Sequence, residues 1–292
     1  MVLFFNPIFK ETIWGGNLLK TTFHYPTSEH TGECWGICAH PNGMSTIKNG
    51  EYSGKTLKEI WENHKSLFGN HPSKDFPILV KIIDASDDLS IQVHPNDKQA
   101  KKEHSSGKNE CWYIIDTLPH NEIIIGHNAK TKAEFLTYLE RQDFHHLIRS
   151  IEIKKGDFFY IEAGTLHAIL RGTLLLEVQQ SSDITYRFYD YDRLYHNKKR
   201  DLHVEKAISV TKIPDSGIKR SIDSNSFDFN VLDIDSSLTI KNNEYGSFFV
   251  CLNGNGFLQN EPIKKGDFGF ITSDELDISF SAHLQIGLIH LK

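Results

Sequence analysis

Apolar and polar residues fall mostly into short runs, alternating with a period of two or unbroken, and bounded by Gly, Asn, Asp and Pro. Such runs cover Pro77 to Ile83, Leu89 to His94, Cys111 to Asp116, Phe158 to Ile161, Leu174 to Gln179 and Phe248 to Leu252. Helical periodicity is confined to insertions. From Thr56 to Phe68, Thr56 and Glu59 have capping-box spacing, Leu57, Ile60, Trp61, Leu67 and Phe68 form a stripe, and Gly69 stands where a C-cap belongs. A second helix opens at Thr131, with Phe135, Leu136 and Leu139 as its apolar face. The pattern predicts an all-β fold with helical insertions that clad a sheet core.

An internal repeat organises the strands. Lys154-Lys155-Gly156-Asp157-Phe158 returns 110 residues later as Lys264-Lys265-Gly266-Asp267-Phe268, each followed by an aromatic and apolar strand. Duplication of a barrel unit accounts for this. The copies then diverge: Gly164-Thr165-Leu166-His167 has no counterpart, and Asp277 stands at the offset of His167. The second unit is therefore expected to lack any metal site that His167 serves.

Candidate chemistry gathers in the first copy. Ser90-Ile91-Gln92-Val93-His94 alternates strictly, so Ser90, Gln92 and His94 share one strand face, and Pro95 ends the ladder. Lys108 and Glu110 share a face at the start of the next strong apolar run, and His167 follows a glycine turn. Any one of the 16 histidines is more often a surface or hydrogen-bonded residue than a ligand. Inward faces of barrel strands converge on one axis, however, so Gln92, His94, Glu110 and His167 can meet there. Two imidazoles, a carboxylate and an amide oxygen suit Zn²⁺ and leave room for a substrate oxygen. Fold and spacing alone take the reading to a metal-binding, cupin-like barrel, without a substrate.

Composition narrows the partners. A formal charge of −6 over 292 residues leaves no broad cationic surface for nucleic acid, and the best basic run is Lys198-Lys199-Arg200. The apolar start at Met1 to Phe5 lacks a basic flank and is stopped by Asn6-Pro7, no segment reaches membrane-spanning length, and no membrane partner is expected. Cys34, Cys38, Cys111 and Cys251 are few and scattered, which favours buried free thiols and a cytoplasmic location.

Several segments carry a family resemblance: Trp14-Gly15-Gly16, Gly32-Glu33-Cys34-Trp35, Leu89 to Pro95, Gly107 to Tyr113, Gly164 to Ala168 and Gln180 to Tyr191. In this order they resemble type I mannose-6-phosphate isomerases in their short bacterial form. The resemblance spans the first two-thirds of the chain. It implies two cupin-like (jelly-roll) β-barrels, a catalytic one over residues 1–212 and a degenerate one without metal over 213–292. It further implies one zinc per chain held by Gln92, His94, Glu110 and His167, an active-site Arg187, Lys108 and Asp183 lining the same pocket, and Ser90 near the substrate phosphate. Lys108 is then a candidate proton shuttle or phosphate contact. The implied reaction interconverts mannose 6-phosphate and fructose 6-phosphate through a cis-enediol, in a monomer or weak homodimer. Cys34 departs from the related sequences, in a segment that supplies no ligand. Two rival readings are a cupin oxygenase with Fe(II), and a sugar-binding cupin without turnover.

Overall fold

The computed structural model describes residues 1–195 and 197–292. Two antiparallel sheets build the part that holds the candidate residues. One has six strands in the order Phe158–Ile161, Glu110–Thr117, Thr173–Gln180, Ile78–Ala85, Thr31–Ile37, Ile8–Gly16. The other has five: Ile148–Glu152, Glu122–His127, His167–Ile169, Ile91–Val93, Tyr186–Tyr189. Trp14, Ile83, Trp112, Ile114, Ile123, Phe159 and Leu175 pack in one core cluster between them. The far face of the five-stranded sheet, with Ile91, Val93, Ile124 and Tyr186, is covered by Phe135, Leu147 and Ala207 of three helices, Lys132–Glu140, Phe144–Leu147 and Val204–Val210. The helices are cladding, as the pattern predicts.

The six-stranded sheet is buried on both faces. Ile78, Val80, Ile82, Leu174, Leu176 and Val178 belong to a core shared with the last third of the chain, while Ile83 and Leu175 face the five-stranded sheet. Every residue of Ile78–Ala85 and of Thr173–Gln180 is buried. Burial on two faces is why these strands read as mostly apolar runs rather than as alternation.

The last third forms most of a nine-stranded sheet, with Phe227–Ile234, Leu284–Leu291, Ser247–Leu258 and Phe268–Ile271 at its centre. Beyond a bulge between Cys251 and Asn253, the long strand goes on to pair with Glu261–Lys264 and Asp277–Ser281, so the sheet folds back around Phe4, Phe249, Ile278, Phe280 and Ile286. The apolar N-terminal stretch joins it: Val2–Asn6 pairs with Phe268–Ile271, Val2 opposite Ile271. The two copies of the repeat make the same turn. Gly156 and Gly266 have φ of 88° and 91°, and Asp157 and Asp267 accept from the amides of Lys154 (3.0 Å) and Lys264 (2.9 Å).

The first predicted helix is shorter than the stripe suggests. Thr56 and Glu59 form the capping box, but the α-helix stops at Asn63 and the chain continues as a 3₁₀ turn over Lys65–Phe68. His64, at φ −133°, breaks the helix and lets Phe68 turn inward. There Phe68 stacks on Phe270 (4.6 Å between centroids), Phe270 on Phe248 (4.5 Å), and Phe76 meets Phe248 edge-on at 5.4 Å. Among the described residues no helix is long and apolar enough to cross a membrane.

These rings tie the insertion to the nine-stranded sheet. Phe248→Ala is expected to lower the unfolding free energy by about 3–5 kcal/mol, read by chemical denaturation; a loss below about 1 kcal/mol would show that the stack does not hold the two parts together.

Candidate metal centre

Strand pairing assembles the donors. Ile91–Val93 lies between two neighbours, with His167 opposite Gln92 on one side and Arg187 opposite Gln92 on the other. His94 follows this strand, and Glu110 opens a strand of the facing six-stranded sheet. The four predicted ligands therefore meet where the two sheets approach. His94 Nε2 is 3.1 Å from His167 Nε2 and 3.5 Å from Glu110 Oε2, and His167 Nε2 is 3.4 Å from Glu110 Oε1. All three side chains are buried.

Hydrogen bonds behind the rings place the protons. His94 Nδ1 lies 2.8 Å from the Ile184 carbonyl and His167 Nδ1 2.9 Å from the Thr165 carbonyl. A carbonyl only accepts, so each ring carries its proton on Nδ1. Burial, helped by the Lys108 charge, holds His94 well below the usual histidine range, and burial brings His167 down to about 4. Two neutral rings thus aim Nε2 lone pairs at each other.

Beside them both oxygens of Glu110 are buried, and Oε1 has no hydrogen-bond partner. Burial pushes this carboxyl up to about 7, against the pull of Lys108. The nearest positive charge is the Lys108 ammonium, 2.9 Å from both His94 Nε2 and Glu110 Oε2. One ammonium at the edge leaves the His167 lone pair and the second carboxylate oxygen facing each other without a cation between them, and N₂O donors with fixed second partners fit a divalent ion of zinc's type. Gln92 faces the same space: its Nε2 is 3.4 Å from His167 Nε2, and its Oε1 accepts from Ser90 Oγ at 3.0 Å. The Ser90 hydroxyl can equally accept, so a half-turn of the amide offers Oε1 to the centre and keeps Ser90 as partner.

A cavity of about 90 Å³ opens beside these donors, with Ser90, Gln92, Lys108, Glu177, Arg187 and Arg200 among its walls. Larger hollows of 440–570 Å³ lie elsewhere. Among the described residues only His94, Glu110 and His167 group as a metal-ligating set, so chemistry rather than size identifies the site.

The sequence matches the family described as phosphomannose isomerase type I, catalytic domain, over residues 2–118. It is 52% identical to the mannose-6-phosphate isomerase ManA of Bacillus subtilis over 73% of this chain and 68% of that one. It is 50% identical to a mannose-6-phosphate isomerase of Streptococcus mutans, over 72% of this chain and 68% of the relative. The crystal structure of the mannose 6-phosphate isomerase from Bacillus subtilis superposes with a TM-score of 0.95 at 40% identity, covering 99% of both chains. The chain belongs to the type I phosphomannose isomerase family.

In this phosphomannose isomerase family member, a set of buried charges borders the donors that motif spacing did not single out. Lys81 Nζ is 3.0 Å from Glu177 Oε2 and 3.7 Å from Glu33 Oε2, and Trp112 Nε1 donates to Glu177 Oε1 at 3.0 Å. Register explains the cluster: Glu177 sits opposite Lys81 on one side and Trp112 on the other, and Gln179 opposite Glu110. Burial raises the Glu177 carboxyl, but Lys81 and Lys108 with two hydrogen bonds overcome it and bring it down to about 2. Lys81 interrupts Ile78-Leu79-Val80 and Ile82-Ile83, and Glu177 interrupts Leu174-Leu175-Leu176 and Val178. A charge set between apolar neighbours in the middle of a strand was the available signal.

Ser90, Lys108 and Arg187 line the cavity with the donors. Asp183 does not join them: its carboxylate accepts from Asn42 Nδ2 and lies 3.6 Å from His40 Nε2, outside the strand Tyr186–Tyr189. Parity with Arg187 fails because Asp183 precedes the strand and nothing enforces alternation there.

A divalent ion needs Glu110 ionised, whereas the metal-free carboxyl holds its proton below about pH 7. Adding zinc to metal-free protein at pH 6 is expected to release about one proton per ion, and much less at pH 8. A pH indicator in weakly buffered solution reads this, and equal release at both values would remove Glu110 from the donor set.

Proposed function

We propose that the chain interconverts mannose 6-phosphate and fructose 6-phosphate at one zinc ion held by Gln92, His94, Glu110 and His167. The observation that carries this reading is the buried His94–Glu110–His167 set beside a cavity walled by Lys108 and Arg187, in a member of this isomerase family. When bound, zinc supplies a positive charge that the sugar oxygens can share.

The chain's own side chains do the rest. Going from aldose to ketose moves one hydrogen from C2 to C1 and one proton from O2 to O1. Breaking the C2–H bond leaves its electron pair to form the C1–C2 double bond of a cis-enediol, while O1 takes up a proton. The abstracted proton then returns to C1 as the O2–H proton leaves and the carbonyl forms at C2. Lys108 Nζ, held beside Glu110 and His94, is the proton carrier in this reading, its free amine taking the C2 proton and the resulting ammonium returning it to C1. Arg187 stabilises charge on the enediol oxygens through its guanidinium. Ser90 orients Gln92 and borders the substrate. Asp183 is left out, because its partners are His40 and Asn42.

We further read residues 1–212 as the catalytic unit and 213–292 as a second cupin-like barrel without metal. Two observations support this: the space inside the folded-back sheet is filled by Phe249, Ile278, Phe280 and Ile286, and Asp277 is exposed and paired with Lys241 at 2.7 Å. A cupin oxygenase is the weaker reading, because a glutamine beside two histidines and a glutamate leaves fewer open positions than oxygen chemistry uses.

A coupled assay of mannose 6-phosphate conversion, run with and without a chelator, tests the function, and full turnover after metal removal would overturn it. His94→Ala and His167→Ala are each expected to lose metal and activity together. Arg187→Ala should keep its metal and melting temperature while kcat falls on the order of a hundredfold, with Arg187→Lys restoring only part. A destabilised Arg187→Ala protein with unchanged kcat would make the residue structural.

A further inference from the structure

Two guanidiniums share the cavity. Arg187 and Arg200 both line it, on the side where Ser90 and Thr185 also open. Arg187 has its Nε buried without a hydrogen-bond partner and enters no salt bridge among the described residues. Arg200 grips Asp190 with two prongs, Nε donating to Oδ2 at 2.7 Å and Nη2 to Oδ1. The same carboxylate also accepts from Arg193 Nη2 at 2.7 Å, and Arg193 has a second acceptor in Asp87 at 3.1 Å.

One buried carboxylate therefore serves two arginines, and a third beside them has none. The other carboxylates that line the cavity do not correct the imbalance, because Glu33 and Glu177 are taken by Lys81. A surplus of guanidinium charge at a cavity wall is costly in a protein interior unless an anion completes it. A phosphate monoester matches that demand: it brings up to two negative charges and an edge of two oxygens that fits a guanidinium fork. Arg200 suits this role better than Arg193, since it reaches the cavity and Arg193 does not border it.

We propose that Arg200 anchors the phosphate of the substrate, exchanging part of its grip on Asp190 for the phosphate oxygens when the hexose phosphate enters. The identity of the anion rests on the isomerase reading; the anion site itself rests on the arginine geometry. The two arginines then divide the work. Arg187 acts on charge that develops during reaction and shows in kcat, whereas a phosphate contact is present before and during reaction and shows in KM.

The test compares zinc-loaded wild-type protein with Arg200→Ala, Arg200→Lys and Arg193→Ala. Two quantities are read: steady-state kinetics with mannose 6-phosphate, and the affinity for inorganic phosphate by isothermal titration. Arg200→Ala is expected to raise KM about 30-fold or more with kcat within about threefold, and to weaken phosphate binding by a similar factor. Arg200→Lys should recover part of both. Arg193→Ala removes the other partner of Asp190 without removing a cavity cation, so it should leave both quantities within about threefold. Equal effects from Arg193→Ala and Arg200→Ala would show that Asp190 packing alone is at work and overturn the proposal. So would an Arg200→Ala protein with unaltered KM and phosphate affinity. Phosphate binding that depends on Arg200 in a protein without isomerase activity would instead retain the anion site and reject the isomerase reading.

Discussion

A carboxylate and two imidazole lone pairs pressed together beyond the reach of water form the interaction on which the rest of the site depends. Glu110, His94 and His167 give up hydration, and at the atoms that face one another the close donor is the Lys108 ammonium, 2.9 Å from His94 Nε2 and from Glu110 Oε2. Isolated, such burial costs several kcal/mol for the carboxylate alone. The comparison with Glu177 shows what is missing. Both carboxyls are fully buried on the same sheet face, yet Glu177 falls to about 2 and Glu110 rises to about 7. Each has an ammonium close by, Lys81 at 3.0 Å from Glu177 Oε2 and Lys108 at 2.9 Å from Glu110 Oε2, but Glu177 adds the Trp112 indole as donor, whereas the two rings against Glu110 are neutral and donate nothing to it. The fold gives both oxygens of one carboxylate a partner and leaves its neighbour with Lys108 at one oxygen and no partner at the other, which is a condition under which a bound divalent ion also stabilises the folded protein.

Such an arrangement persists only if its supports cannot relax. Every donor is on or next to a strand, and the six-stranded sheet that carries Glu110, Lys81 and Glu177 is packed on both faces. Its outer core is shared with the aromatic stack of Phe68, Phe248 and Phe270, so the last third of the chain acts on the site by immobilising the sheet beneath it. Close contacts finish the job at the rim. Gly15 runs against the backbone of Gly32, where a Cβ would come within 2.4 Å of the Gly32 amide nitrogen, and this lets Trp14 lie against the cavity. Rigid placement of this kind keeps donors within the small tolerance a metal centre needs.

Much of this was legible in the sequence, because strand alternation is a strong constraint where one face is chemical. Ser90, Gln92 and His94 do share a face, and Glu110 and His167 do converge on them. The capping box at Thr56 was readable for the same reason, being a local geometry with a fixed spacing. What escaped reading depends on distant partners. The break at His64 arises because Phe68 is drawn into an aromatic stack with Phe270, some two hundred residues away in the chain. Asp183 has the right residue type and spacing, but lies ahead of its strand, where His40 and Asn42 capture it. Lys81 and Glu177 announce themselves only once both strands are known to be buried on two faces. In a half-exposed strand the same residues would simply point at solvent.

The repeat shows how similar local code leads to different chemistry. Lys154 to Phe158 and Lys264 to Phe268 make the same glycine turn and start the same kind of strand. After the first, Gly164 adopts φ of 91° where a Cβ would come within 2.9 Å of the Val210 carbonyl, and its carbonyl accepts from Lys212 at 2.9 Å. That tight return delivers His167 to the strand end facing Gln92. After the second, no glycine allows such a return, and Phe268–Ile271 pairs with Val2–Asn6 instead. Gly269 serves a different purpose there: the space a Cβ would need is taken by the Phe249 ring at 2.5 Å. Phe4 and Phe249 pack edge to face at 5.8 Å in the interior this creates. Rings and aliphatic side chains fill this interior, so the stretch after the second copy contributes packing, whereas the stretch after the first brings His167 beside His94 and Glu110.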